Sequence, residues 1–169
     1  MIGLPLDHIA IHIDDAEAAI ETVRELLGYE HAQVLEVPAQ EGSATLTVLV
    51  QRGDRFRMVL CESRGDAHPI SKWLVARGPG VHHLAHRVEM VEDALDAVEA
   101  SGGTRGGELV EAPGLRQVFA EVARDGLLHE LTQRMENEGF EPDNTRALID
   151  AGGDRNADAP ASVVRRDRR

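Results

Sequence analysis

Cysteine occurs once in the 169 residues, at Cys61, so an internal disulfide is excluded. A lone cysteine within an apolar run reads as a small strand side chain rather than a catalytic thiol. Lysine also occurs once, at Lys72, and acids outnumber cations by 30 to 18, for a net charge of −12. That balance excludes a nucleic-acid surface, which needs a basic stripe. The only clustered cations, Arg165, Arg166, Arg168 and Arg169, follow a small, polar stretch that buries little surface. Residues 152–169 are therefore expected to be a flexible tail. No apolar run approaches the roughly 18 residues of a spanning helix, so no membrane partner is expected. The start MIGLPLDHIAIHIDD lacks the basic segment and cleavage site of a signal peptide, which makes a cytoplasmic location the expectation. Aromatic residues are 3% of the chain, yet hydrophobic residues reach 42% and charged residues 28%. Aliphatic side chains must then build the core, and the length suits a single domain over residues 1–151.

The chain resembles itself. LDHIAIHIDDAEAAIETVRELLG, from Leu6, lies on VHHLAHRVEMVEDALDAVEASGG, from Val81, at a constant offset of 75. His8 falls on His83, Ala10 on Ala85, Glu17 on Glu92, Val23 on Val98 and Gly28 on Gly103. Each copy opens with an alternating, strand-like run and then changes to helical spacing: Ala16, Ala19, Ile20, Val23 and Leu27, then Val91, Ala94, Leu95 and Val98. Asp14 or Asp15 suits the first helix N-cap, and Gly28 and Gly103 suit helix ends. Further on, VLVQRGDRFRMVLCES and VFAEVARDGLLHELTQ both read strand–turn–strand, with turns at Gly53-Asp54 and Asp125-Gly126. Aligned on Asp54 and Asp125, Val59 corresponds to Glu130. Each copy thus reads β-α-β-β-β, with strands near 6–13, 31–37, 44–51 and 56–62, then 81–88, 105–111, 116–123 and 127–133. The expected fold is α+β: two paired modules (about 5–63 and 80–134) in one open, cup-shaped mixed sheet.

Alternation along strands puts His8, Ala10 and His12 on one face, and His83, Ala85 and Arg87 on one face. If equivalent faces of two modules line a shared concavity, His8 and His83 both point into it. Glu130 is a carboxylate inside the apolar run GLLHELT, so it must be hydrogen-bonded, paired or metal-bound. Two imidazoles and a carboxylate make a facial metal triad with open positions. Taken singly, a strand histidine is more often structural than a ligand, and Glu130 could pair with Arg116 or Arg134. The duplication tips the joint reading toward a metal held by His8, His83 and Glu130. His12 is expected nearby, while His82, His86 and His129 should face away. The glycines at 102, 103, 106 and 107 lack a following Lys-Ser/Thr and are not a phosphate loop.

These residues resemble the vicinal oxygen chelate, or glyoxalase-like, superfamily. LDHIAI, HHLAHRV and LHELTQ look like its three metal-bearing strands, and the resemblance spans residues 5 to about 133. It implies an enzyme whose metal chelates a substrate with two neighbouring oxygens. Two branches fit. ISKWLVARGPGVHHLAHRV followed by ELTQ looks like methylmalonyl-CoA epimerase, a family with a fourth ligand and a separate carboxylate base. Here the fourth-ligand position falls on Val59, or on Met58 with a one-residue slip, and the preceding strand ATLTVLV carries no carboxylate. Glu130 would then have to serve as ligand and proton acceptor together.

The other branch resembles the catalytic half of 4-hydroxyphenylpyruvate dioxygenase, which places no ligand at the Val59 position. Its closing segment is similar to ELTQRMENEGFEPDNTRALIDA, which extends the resemblance to about residue 151 and implies a closing segment (135–151) with a short helix. That family fuses two such halves and holds its aromatic substrate with phenylalanines. Of Phe56, Phe119 and Phe140, only Phe140 matches the closing segment. The resemblance favours an Fe(II) oxygenase acting on a small 2-oxo acid, with Glu130 as the catalytic carboxylate. An epimerase or isomerase using Co, Mn, Zn or Ni is the alternative, and a metal-free binding or resistance protein is a third. A small-molecule substrate and a homodimer are the expected partners.

Overall fold

A computed structural model describes residues 4–39, 42–51, 56–122, 127–135 and 139–158. Its elements run β1 (Leu6–His12), α1 (Ala16–Leu27), β2 (Tyr29–Ala39), β3 (Gly42–Gln51), β4 (Arg57–Arg64) and α2 (Pro69–Arg77), then β5 (Gly80–Arg87), α3 (Val91–Ala100), β6 (Thr104–Arg105), β7 (Val110–Ala112), β8 (Leu115–Glu121), β9 (Leu128–Arg134) and α4 (Pro142–Asp158). The strands form one mixed, open sheet in the order β2-β3-β4-β1-β5-β9-β8-β6, with β7 also on β8. The two modules are its halves, joined where β1 and β5 run antiparallel. Within each half the first strand pairs in parallel with the last: β1 with β4, and β5 with β9. The α+β reading holds, and the Gly53-Asp54 and Asp125-Gly126 turns lie outside the described residues.

Helix α1 starts at Asp15, whose side chain accepts the Ala18 amide at 3.0 Å, and stops at Gly28, with φ of 69° in the left-handed region. Its Ala16, Ala19, Ile20 and Val23 pack on Ile13, Leu49 and Leu60. The repeat places Val91, Ala94, Leu95 and Val98 of α3 in the same way, against Val118, Ala120 and Leu131. No side chain of its own caps α3; instead Gln133 of β9 accepts the Val91 amide at 3.1 Å. After α3 it is Gly102 that takes the positive φ, 89°. Gly103 is required for a different reason: a Cβ there would lie 2.6 Å from Glu121 O and from Val98 Cγ1.

Three expectations are corrected. The strand expected over 105–111 is two short pieces, β6 and β7. Between them the Gly106 backbone lies so close to Phe119 that a Cβ would meet it at 3.0 Å, and glycine weakens a ladder it interrupts. Helix α2, between the modules, was not anticipated; His68 caps it by accepting the Ile70 amide at 3.2 Å, and Pro69 opens its first turn. Finally, α4 is 17 residues long rather than short, and continues through residues 152–158 of the expected tail. The rest of that tail, 159–169, lies outside the described residues.

Candidate metal centre

The register of the sheet assembles the site. Parallel pairing sets Ala85 against Glu130, and in the other half sets Ala10 against Val59. Ala10 and Ala85 are the equivalent positions of the repeat, so the alignment of Val59 with Glu130 is reproduced by hydrogen-bonded pairing. Antiparallel pairing of β1 with β5 brings His8 beside His83. Each of the three contributes a ligand atom, and all three atoms lie within 4.8 Å of one another. The carboxylate Oε2 of Glu130 is 3.1 Å from His83 Nε2 and 3.8 Å from His8 Nε2. The two Nε2 atoms are 3.3 Å apart. All three residues are buried, Glu130 completely.

Two β-bulges complete the arrangement. Pairing of β1 with β5 slips at Asp7 and again at His82, the residue before each of the two histidines. A bulge re-aims the extra residue, and each here reaches the neighbouring imidazole. Asp7 Oδ1 accepts from His8 Nδ1 at 2.9 Å, and the Nδ1 atoms of His82 and His83 are 2.8 Å apart. This overturns strict alternation, which has His82 facing away; it lines the same cavity as His83. Alternation does hold for His86 and His129, which pair with each other at 2.9 Å and do not line the cavity. His12 lines it, as expected.

Asp7 is the functional candidate that sequence reasoning missed. It is buried, and Arg134 grips it as a fork, Nε to Oδ2 at 2.8 Å and the terminal nitrogen to Oδ1 at 2.9 Å. Arg87 adds a second cation at 3.2 Å and Arg57 a third at 3.8 Å. Burial alone would raise the Asp7 carboxyl, but His8 and Arg134 outweigh it and hold the group far below its ordinary range. A permanent carboxylate on His8 Nδ1 keeps the proton there and leaves the Nε2 lone pair facing the cavity. The available signal was an acid inside the apolar run LDHIAI.

The same test applies to the other ligands. Burial lowers His83 against the opposing pull of Glu130, keeping its imidazole neutral as a ligand must be. For Glu130, burial raises the carboxyl, but His83, His8 and Thr132 outweigh it and hold it at about 2. Thr132 donates to Oε1. Oε2 is buried without a well-directed hydrogen bond to any group. The alternative partners are otherwise engaged: Arg116 with Glu92 and Glu111, Arg134 with Asp7. With both Nδ1 atoms engaged, the two Nε2 atoms and a carboxylate oxygen converge on one point. Such a donor set fits a divalent cation.

The three residues line a cavity of about 70 Å³, to which α2 and α4 contribute Ile70, Leu148 and Ile149. Phe140, ahead of α4, packs edge-on against the His8 ring at 5.0 Å. Residues 7–119 match the Glyoxalase/Bleomycin resistance protein/Dioxygenase superfamily. The chain belongs to this superfamily. Within it, the chain is 32% identical over 104 residues to the ethylmalonyl-CoA/methylmalonyl-CoA epimerase of Cereibacter sphaeroides, covering 60% of this chain and 73% of that one. Among solved structures, methylmalonyl-CoA epimerase from Mycobacterium tuberculosis superposes with a TM-score of 0.65 at 24% identity, over 79% of this chain and 93% of that one. A mutant 4-hydroxymandelate synthase from Streptomyces coelicolor superposes with a TM-score of 0.71 at 20% identity, over 89% of this chain. This superfamily member spans only 54% of that synthase. The named relatives are enzymes, and no described helix is long and apolar enough to cross a membrane.

Proposed function

We propose that this chain is a metal-dependent oxygenase acting on a small 2-oxo acid, with iron(II) held by His8, His83 and Glu130. One observation carries the reading: the position equivalent to Glu130 in the first module is Val59, and among the described residues Glu130 is the one carboxylate lining the cavity. Three protein donors leave coordination positions open, and no second carboxylate stands ready as a general base. A bound iron(II) supplies chelation of neighbouring substrate oxygens and activation of dioxygen. The chain's own residues do the rest. Asp7 and His82 orient the two imidazoles, Thr132 orients Glu130, and the apolar walls with Phe140 exclude water from the reacting end. The cavity volume suits a compact acid. After anaerobic reconstitution with iron(II), at least one member of a panel of short 2-oxo acids is expected to drive stoichiometric oxygen uptake. No uptake across the panel would overturn the oxygenase reading.

The 32% identity to an epimerase favours a second reading, in which the same three residues hold cobalt, manganese, zinc or nickel. Glu130 would then also take the proton α to an acyl thioester carbonyl. Incorporation of solvent deuterium into methylmalonyl-CoA, with no oxygen consumed, is the result that selects it.

A further inference from the structure

One metal ligand and the cavity wall are joined by a closed circuit of contacts. Asp7 Oδ1 accepts from His8 Nδ1, and Arg134 forks onto Asp7 through Nε and one terminal nitrogen. The other terminal nitrogen of Arg134 donates to the Gly139 carbonyl at 2.7 Å. The same guanidinium lies over the Phe140 ring at 5.2 Å, and that ring returns edge-on to His8 at 5.0 Å. Arg134 therefore serves both the carboxylate that orients His8 and the backbone that carries Phe140 against His8. Its side chain is 2% exposed, and that of Asp7 is fully covered. A rigid, planar set of donors cannot turn toward one partner without releasing the other.

Phe140 is held from the other module as well. Gln33, on the edge strand β2, donates from Nε2 to the Phe140 carbonyl at 2.8 Å and accepts the Phe140 amide at 3.4 Å. Gln33 is half-buried and follows a slip in the β2–β3 ladder. A neutral amide with one long bond holds less firmly than the buried, charged fork of Arg134. Phe140, Thr145, Leu148 and Ile149 all line the cavity, and all come from the one segment 139–150. His8, His83 and Glu130 are at most 7% exposed, so a substrate that is to reach them needs part of the lining to move. Residues 139–150 can move without breaking a strand ladder, and Gln33 is the accessible end of their fastening.

We propose that Arg134 is a positioning residue that couples metal capture at His8 to closure of the Phe140 segment, with Gln33 as the latch that releases it. The proposal rests on the metal-binding reading above. Such coupling is reciprocal: a metal on His8 favours the closed segment by the same factor by which closure favours the metal. Hydrogen exchange of the full chain, followed by mass spectrometry with and without cobalt(II), reads that factor. Cobalt is expected to slow exchange across 139–150 about tenfold, inside the roughly 5- to 150-fold span of such couplings. Helix α1, which packs on a separate cluster, should change little. Arg134→Lys keeps a charge beside Asp7 but lacks the fork; it should still bind cobalt, and the slowing should disappear. In Gln33→Ala the segment should exchange about fivefold faster with and without cobalt, as loss of a neutral hydrogen bond provides, with the cobalt ratio retained. If cobalt slows α1 as much as 139–150, or slows neither, the coupling is overturned and the metal site stands. Slowing that persists in Arg134→Lys, or unchanged exchange in Gln33→Ala, overturns the role given to that residue. No calorimetric uptake of cobalt by the wild type overturns the metal-binding reading and this proposal with it.

Discussion

In the first module the last strand brings Val59 beside Ala10; in the second the same strand brings Glu130 beside Ala85. Two residues on, Cys61 of the first module corresponds to Thr132, the hydroxyl that holds Glu130. Before the ligand histidines stand Asp7 in one module and His82 in the other, each on a bulge and each reaching the next residue's Nδ1. The duplication has kept the backbone and the two imidazoles, and has let the residues that orient and complete the site diverge. One half supplies a charged orienting group and an apolar wall; the other supplies a neutral orienting group and the carboxylate. On the proposed reading, this asymmetric site on a nearly symmetric frame would leave one side of the metal open for substrate.

Four changes test that comparison. Making the second module like the first, with Glu130→Val, removes the one anionic donor found among the described residues of the site. Affinity for manganese or cobalt, measured calorimetrically, is expected to fall by more than the roughly hundredfold that marks loss of an orienting partner alone. Asp7→Asn keeps a hydrogen-bonding group beside His8 but discards the charge. Metal affinity should drop about 10- to 100-fold. His82→Phe removes the weaker, neutral orienter, and a loss near the lower end of that range is expected. If the two losses are equal, the asymmetry has no consequence for binding. The converse graft, Val59→Glu with Cys61→Thr, gives the first module the second module's donor and its hydroxyl. Metal retention against a chelator should rise about tenfold, while oxygen uptake falls as an open position is filled.

The Asp7 cluster also makes a prediction about acid stability of the metal-free chain. The folded carboxyl titrates well below its ordinary 3.8, so the cluster stabilises the fold above that pH and the contribution is lost as pH falls past it. Denaturant midpoints of the wild type should therefore decline from near pH 4 downward. Those of Asp7→Asn should start lower, because Arg134 and Arg87 lose their partner, and should change less over the same range. Parallel curves would show that Asp7 is not the group responsible.

Much of this was readable in one dimension. The offset between His8 and His83, the change from period two to helical period, and the alignment of Val59 with Glu130 each survive in the sheet pairing. These features are local or repetitive, and a repeat specifies equivalent geometry without any knowledge of distant contacts. Asp7 was missed and His82 misjudged because bulges break the alternation on which facing is inferred, and a bulge is a property of two paired strands rather than one. Arg134 looked like a partner for Glu130 four residues away in sequence; in the structure it reaches across the sheet to Asp7.

By itself, then, the sequence determined that two like modules exist, which imidazoles are equivalent, and that a lone carboxylate sits in an apolar strand. Only the tertiary structure decided that β1 meets β5 edge to edge, that Asp7 is enclosed by arginines, and that His12 packs between Trp73 and His82 in the cavity wall. The physical reason is range. Periodicity and capping follow from neighbours in the chain, whereas burial, hydrogen-bond direction and the sharing of one cavity depend on residues as far apart as Asp7 and Arg134.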